Sequence, residues 1–298
     1  MIKIKKLSKS YGKTDILNDI NLHVNKGEIY AILGHNGAGK TTLIRCMMEL
    51  TDYTGDIEYA FPKKDLYKNV SLQMQSSVYE DGAKVFEICQ LYKELQDSQV
   101  DIDELLDQFD LLSMKKRKIN HLSGGEKQKL SILLTLINQP KVIIFDEITT
   151  GLDIIAKRKV WSLIRKINQE KDMTIILTSH FLDEVEALAD RVLIIEQGEI
   201  HNSGRIKEIV HQTFGDRKKI SFSVQAGNEN EWLDRFEHIT KYNDRFIVEY
   251  ESEYENDILD IIKENNGSNI NIKEFSFEDA FLKNLGYVID EKGEMTYE

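Results

Sequence analysis

The stretch Gly34-His35-Asn36-Gly37-Ala38-Gly39-Lys40-Thr41-Thr42 constrains this chain more than any other. It fits the pattern G-x-x-x-x-G-K-[ST], and its flanks agree. Glu28-Ile29-Tyr30-Ala31-Ile32-Leu33 reads as a short buried strand, and Leu43 to Leu50 has good helix formers and no breaker. Gly34, Gly37 and Gly39 are expected to allow backbone angles that a Cβ resists, so that successive N–H groups turn inward around an anion. A helix starting near Gly39 points its positive end at the same place. Lys40 would then reach terminal phosphates, and the Thr41 hydroxyl would be one Mg²⁺ ligand. A strand, this loop and a helix together predict a nucleotide triphosphate site.

The 298 residues suffice for one large or two modest domains, and 41% hydrophobic with 30% charged residues is an ordinary globular balance. The net charge of −12 is uneven. Residues 1–204 carry 27 basic and 30 acidic side chains, a net of −3, whereas residues 205–298 carry 12 and 21, a net of −9. So acidic an end argues against a nucleic-acid platform, which needs basic patches. Cys46 and Cys89 sit in helical patterns without metal-ligand spacing, and are expected to be buried free thiols in a reducing compartment. No apolar run approaches the roughly 18–20 residues that span a bilayer. Met1-Ile2-Lys3-Ile4-Lys5-Lys6 has no apolar stretch behind it, unlike a signal peptide. The expectation is a soluble protein that a partner brings to a membrane.

Met1 to Leu7 alternates as a half-buried strand, Tyr11-Gly12 reads as a polar turn, and Ile16 to Val24 as a second strand. Short strands follow at Asp56–Tyr59 and Val70–Leu72. Apolar stripes then predict helices over Val85–Leu95, Ile102–Phe109 and from Ser123 to about Ile137. Strands at Val142–Phe145, Thr174–Leu177 and Val192–Ile195 alternate with helices at Ile154–Asn168 and Leu182–Ala189, as in a sheet with helices on both faces. A last turn is expected near Glu199-Ile200. Beyond Arg205 come a strand around Ile220–Val224, a short helix at Trp232–Phe236 and a turn at Tyr242–Arg245. A strand at Phe246–Tyr250, a helix around Ile258–Ile262 and a strand from Ile270 to Phe275 complete the order. That β-α-β-β-α-β order is ferredoxin-like.

Asp146 and Glu147 end an apolar strand, which places both carboxylates in the ligand crevice at the strand's carboxyl end. Asp146 would hold Mg²⁺, and Glu147 would act as general base on the attacking water. His180 follows a neighbouring strand. A neutral imidazole there could donate to the γ-phosphate, although a lone histidine after a strand is more often structural.

Leu122-Ser123-Gly124-Gly125-Glu126-Lys127-Gln128 resembles the signature of the ATP-binding-cassette transporter ATPases, and residues 1 to about 205 carry that family's motifs in order. The resemblance implies ATP and Mg²⁺ as ligands. Tyr11 matches the aromatic residue that stacks on adenine, and Gly34 to Thr42 the first Walker motif, with Asn36, Ala38 and Thr42 among its binding residues. Asp146-Glu147 matches the second Walker motif and His180 the switch histidine. Val70 to Gln75 looks like the segment whose glutamine contacts Mg²⁺ and water, and spacing favours Gln75 over Gln73. Thr150-Gly151-Leu152-Asp153 matches the loop that crosses the dimer interface. Ser123, Gly124 and Gly125, at a helix start, would meet the γ-phosphate held by the other subunit.

The implied fold is α/β: a P-loop NTPase core with an antiparallel β subdomain and a helical subdomain, plus a small α+β, ferredoxin-like C-terminal domain. The implied division is 1–205 for the cassette, its helical subdomain at about 82–140, and 206–298 for an accessory or regulatory domain. The implied partners are integral membrane permease subunits and a second ATPase subunit, identical or homologous, at the cytoplasmic face of the membrane, with no nucleic acid. Three positions depart from the family pattern: Glu126 replaces a usual glutamine, Ile148 a usual proline and Ser71 a common glycine. Phe275 to Gly286 resembles the closing motif of bacterial exporters for drugs, peptides and lipid-like molecules. The leading expectation is therefore an exporter ATPase. A soluble cassette protein acting on ribosomes or DNA and an importer ATPase are the alternatives.

Overall fold

A computed structural model describes residues 1–74, 82–224, 232, 236, 239–242, 245–289 and 295–297. The chain forms two compact units, Met1–Ser203 and Gly204–Glu298.

The first unit runs β1 (Ile2–Tyr11), β2 (Thr14–Val24), β3 (Ile29–Leu33), α1 (Lys40–Met47), β4 (Thr54–Tyr59), α2 (Leu66–Asn69) and β5 (Val70–Gln73). Helices α3 (Val85–Leu95), α4 (Ile102–Gln108) and α5 (Gly124–Leu136) follow. The chain then alternates β6 (Val142–Asp146), α6 (Ile154–Lys171), β7 (Thr174–Ser179), α7 (Leu182–Leu188), β8 (Arg191–Glu196) and β9 (Glu199–Gly204). Six strands form one sheet in the order β5-β6-β7-β3-β8-β9, and β5, β6, β7, β3 and β8 are parallel. Every residue of β3, β6 and β7 is buried. That is why these strands read as unbroken apolar runs: helical layers cover both faces of a parallel sheet.

A smaller antiparallel sheet, β2-β1-β4, closes the unit on one side. Helix α1 lies between the two sheets. Its Leu43, Ile44, Cys46 and Met47 share a core with Ile2, Ile4, Leu17 and Ile20 on one side and Ile32, Ile144, Ile176 and Leu193 on the other. Cys46 and Cys89 are buried free thiols, as expected, and burial pushes both thiols up, Cys46 to about 11 and Cys89 to about 12.

The second unit runs α8 (Ile206–Phe214), β10 (Arg217–Ser223), β11 (Ile239–Tyr242), β12 (Arg245–Glu251), α9 (Glu255–Glu264), β13 (Ser268–Glu274), α10 (Phe277–Asn284), β14 (Tyr287–Ile289) and β15 (Met295–Tyr297). Its four-stranded antiparallel sheet has the order β11-β12-β10-β13, the strand order of a ferredoxin-like sheet. Ile220, Phe222, Phe246, Val248 and Tyr250 face a core completed by Trp232, Ile258 and Ile262.

Several local expectations are corrected. Tyr11 is the last residue of β1, not part of a turn. Lys6 takes a left-handed φ of 49°, and pairing with both neighbours shifts beyond it, so the strand loses its period-two signature and continues. Glu199-Ile200 lie in β9, and the turn is Gln197-Gly198, both at positive φ. Phe275 lies beyond β13 and stacks on Phe214 of α8 with ring centroids 3.8 Å apart. Helix α8 and the β14–β15 hairpin have no counterpart in the sequence reading. The expected helix at 232–236 and turn at 242–245 fall partly outside the described residues.

The segment from Phe275 to Gly286 is anchored rather than loosely appended. Ser276 caps α10 in a reciprocal pair with Asp279, and Lys219 Nζ donates to both Asp279 oxygens at 2.7 and 2.8 Å. Burial opposes charge on Asp279, but the bonds from Lys219 and Ser276 outweigh it and hold this carboxyl below its ordinary value. A depressed folded-state value adds stability above the unfolded value of 3.8, which is lost as pH falls through the folded one. Thermal unfolding of the intact chain should therefore show a loss of second-unit stability below pH 3.8 that Asp279→Asn flattens. Identical pH profiles for the two proteins would contradict this assignment.

Candidate functional site

Strand register assembles the site. Leu33 of β3 pairs with Ser179 of β7, and Asp146 of β6 with Thr178 of β7. The carboxyl ends of β3, β6 and β7 thus lie side by side, carrying the Gly34–Thr42 loop, the Asp146-Glu147 pair and His180. Side chains alternate along a strand, so Asp146 shares the face of Ile144, the face packed on α1. Its carboxylate therefore meets Thr41 at the start of that helix: Thr41 Oγ1 donates to Asp146 Oδ2 at 3.0 Å. Thr178, on the same face of β7, donates to Asp146 Oδ1 at 2.5 Å.

The loop's glycines serve different purposes. Gly37 and Gly39 take left-handed φ values of 87° and 105°, as the anion-cradling argument requires. Gly34 does not: there a Cβ would lie 2.2 Å from the Ile195 carbonyl oxygen, so this glycine permits close approach of β8. Asn36 is exposed and Ala38 buried, with Thr42 half-buried in the first turn of α1.

Lys40 is only 5% exposed. Its Nζ donates to the carbonyls of Gly34 at 2.8 Å and His35 at 3.0 Å and lies 3.4 Å from Glu147 Oε1. Glu147 sits at a left-handed φ of 50°, held by bonds from its N–H to the Thr178 hydroxyl and carbonyl at 3.1 and 3.3 Å. His180 Nδ1 approaches the same Glu147 oxygen to 3.3 Å without making a hydrogen bond. Lys40, Asp146, Glu147 and His180 are therefore one cluster. Sequence reasoning gives Thr178 no role, although it orients both acids; only strand register brings it opposite Asp146.

The other expected residues lie apart from this cluster or do other work. Tyr11 is 46% exposed, with Lys9 Nζ 4.7 Å from its ring centroid. Asp153 caps α6, accepting from Ile155 N and Ala156 N at 2.9 Å each. Ser123 caps α5 in a reciprocal box: its hydroxyl accepts from Glu126 N, and Glu126 Oε2 accepts from Ser123 N at 2.7 Å. The departure at Glu126 thus has a structural use, and it spends the Ser123 N–H. The Ser123 hydroxyl hydrogen and the Gly124 and Gly125 N–H groups remain to face an anion. Gln75 lies outside the described residues. Gln73 is buried on β5 beside Phe145, with its Oε1 unpaired.

The donor set around Asp146 suits a hard divalent cation. This buried carboxylate meets two hydroxyls, not a positive side chain, and Thr41 adds a neutral oxygen.

Residues 17–150 match the family described as ABC transporter. The bacitracin transport ATP-binding protein BcrA of Enterococcus faecalis is 31% identical over 302 residues, covering 96% of each chain. The chain belongs to the ABC transporter ATP-binding family. The methionine import ATP-binding protein MetN of Campylobacter jejuni is 34% identical over 241 residues, 70% of this chain and 72% of that one. The lantibiotic transport ATP-binding protein SrtF of Streptococcus pyogenes is 38% identical over 204 residues, 67% of this chain and 89% of the relative. Among solved structures, cbiO1 from Clostridium perfringens, part of the transporter complex cbiONQ, superposes with a TM-score of 0.62. It is 26% identical and covers 70% of this chain and 89% of that one. The cassette is thus an ATP-hydrolysing subunit of a transporter. Its relatives include import proteins, so as a group they do not single out the expected exporter branch. Among the described residues no helix is long and apolar enough to cross a membrane.

The two glycine roles separate experimentally. Gly34→Ala should destabilise the cassette by about 3 kcal/mol or more, because backbone atoms must move. Gly37→Ala has open space around its Cβ and should cost only about 1–2 kcal/mol of left-handed strain. Denaturant titration of the two variants measures both, and equal losses would contradict the distinction.

Proposed function

We propose that this cassette powers outward transport of a peptide- or lipid-like molecule through separate permease subunits, closing on ATP as a head-to-tail pair. The supporting observation is the Enterococcus faecalis bacitracin transport relative, which aligns over 96% of both chains and so extends through the 275–286 segment. The methionine import relative covers 70% of this chain. Import remains the second reading, favoured by that relative's 34% identity over 241 residues.

Within one site we assign the following roles. Tyr11 stacks on adenine. Gly34, Asn36, Gly37, Ala38, Gly39 and Thr42 form the backbone cradle and helix start for the phosphates. Lys40 is held by two loop carbonyls at a buried position, where its charge acts strongly on a phosphate oxygen. Thr41, Asp146 and Gln75 hold Mg²⁺, which when bound neutralises developing phosphate charge. Glu147 accepts a proton from water as the water oxygen attacks the γ-phosphorus and the bond to the β-phosphate oxygen breaks. His180, 3.3 Å from Glu147, keeps that carboxylate and the γ-phosphate in register. Ser123, Gly124, Gly125 and Asp153 serve the site of the second subunit. The acidic second unit acts as an accessory or regulatory domain at the cytoplasmic face of the membrane.

Glu147→Gln should reduce steady-state ATP hydrolysis by roughly a hundredfold or more while nucleotide binding persists. Undiminished phosphate release would remove Glu147 from the base role. For direction, the chain reconstituted with its membrane partner should drive ATP-dependent accumulation of a labelled peptide into inside-out vesicles. Methionine uptake into right-side-out vesicles would establish import instead, and recovery with ribosomes but no integral membrane protein would overturn both readings.

A further inference from the structure

Glu184, in the first turn of α7, is 1% exposed. Its Oε1 accepts from Thr149 Oγ1 at 2.7 Å and from Trp161 Nε1 at 3.2 Å, while its Oε2 is buried without a hydrogen-bond partner. Burying a carboxylate this deeply is costly, and a site needing only packing would favour an apolar side chain of similar volume. The two donors show what the carboxylate joins. Thr149 is fully buried in the turn two residues after Glu147, a turn closed by Thr150 N to Glu147 O at 3.2 Å and Leu152 N to Thr149 O at 3.2 Å. Trp161 lies on α6, two turns beyond its Asp153 cap. Glu184 itself follows His180 by four residues.

A second contact joins α6 to the segment that follows His180. Lys157, one turn before Trp161 on α6, places its Nζ 3.5 Å from the ring centroid of Phe181. Helix α6 thus grips the His180–Glu184 segment at two points, and one of them also holds the Glu147 turn.

We propose that Glu184 is a positioning residue for hydrolysis, a buried acceptor that fixes the Glu147–Asp153 turn against the strand end carrying His180. Its hydrogen bonds come from Thr149 and Trp161, not from the Gly34–Thr42 loop. Its loss therefore acts on the placement of Glu147 relative to His180, and on turnover rather than nucleotide binding. Because Asp153 closes the same turn, the carboxylate also transmits displacement of that loop to the Glu147 side chain.

This inference rests on the assignment of Glu147 as the base, and the test separates the two. ATP hydrolysis and fluorescent-nucleotide affinity are measured on the full chain carrying Glu184→Ala, Glu184→Gln, Thr149→Val or Glu147→Gln. Alanine at 184 should lower kcat by roughly ten- to a hundredfold with KM for ATP and nucleotide Kd within about threefold, as a small misplacement of a reacting group does. Glutamine, which keeps an acceptor at Oε1, should recover most of that loss. Valine at 149 removes one donor without changing side-chain shape and should reproduce the kcat loss, which keeps the test decisive if the alanine variant folds poorly. The chain has two tryptophans, so the indole resonance assigned to Trp161 should move in Glu184→Ala, which removes its acceptor. Wild-type kcat in folded Thr149→Val, or equal loss of kcat and nucleotide affinity in both position-184 variants, overturns the proposal. An active Glu147→Gln overturns the base assignment instead.

Discussion

A buried ammonium at the head of a buried helix organises this molecule. Lys40 is almost wholly enclosed, and two of its three hydrogens are committed to the carbonyls of Gly34 and His35. Its nearest counter-charge is Glu147, the proposed general base. An enclosed cation is tolerable only where anionic groups meet it with good geometry. That requirement fixes the loop's curvature and brings the end of β6 beside the start of α1. It also makes phosphate binding and the arrangement of Glu147 parts of one electrostatic problem.

The sheet solves that problem by parity. Asp146 and Thr178 are even-numbered continuations of the faces that pack on α1, so the strand geometry that buries Ile144 and Ile176 also aims Asp146 at Thr41 and Thr178 at Asp146. The odd-numbered Glu147 leaves the strand through a left-handed turn and faces Lys40 and His180. Burial of the core and placement of the chemistry are thus consequences of one register. At α5 the reciprocal Ser123–Glu126 cap satisfies two helix-end donors internally, the N–H groups of Ser123 and Glu126, and leaves those of Gly124 and Gly125 to face an anion.

Legibility from sequence follows the same physics. The grouping of Lys40, Thr41, Asp146 and Glu147 at one end of the sheet and the helix start at Ser123 could be read because the motifs that carry them demand particular residue types at short, fixed spacing. The buried parallel strands could be read because both-face burial leaves only apolar residues. What escaped depended on contacts distant in sequence. Gly34 reads as a conformational glycine, yet its need is set by the Ile195 carbonyl on another strand. Thr178 and Glu184 look unremarkable until the register and the packing of α6 on α7 place them. The continuation of β1 to Tyr11 is masked by the irregularity at Lys6, and α8 carries a stripe whose partner, α10, lies some sixty residues later.

Under the proposed head-to-tail closure, Gly34–Thr42 and Ser123–Gly125 are two halves of one site contributed by different copies of the chain. Mixing two inactive variants tests it directly: Lys40→Ala, which spoils only the phosphate loop, and Gly124→Asp, which sets a carboxylate where an anion should bind. Paired head to tail, the mixed dimer holds one site with both halves intact. ATP hydrolysis should therefore return on mixing to roughly a quarter of the wild-type rate, since half of the dimers would carry one good site of two. A mixture as inactive as its components would contradict the shared site.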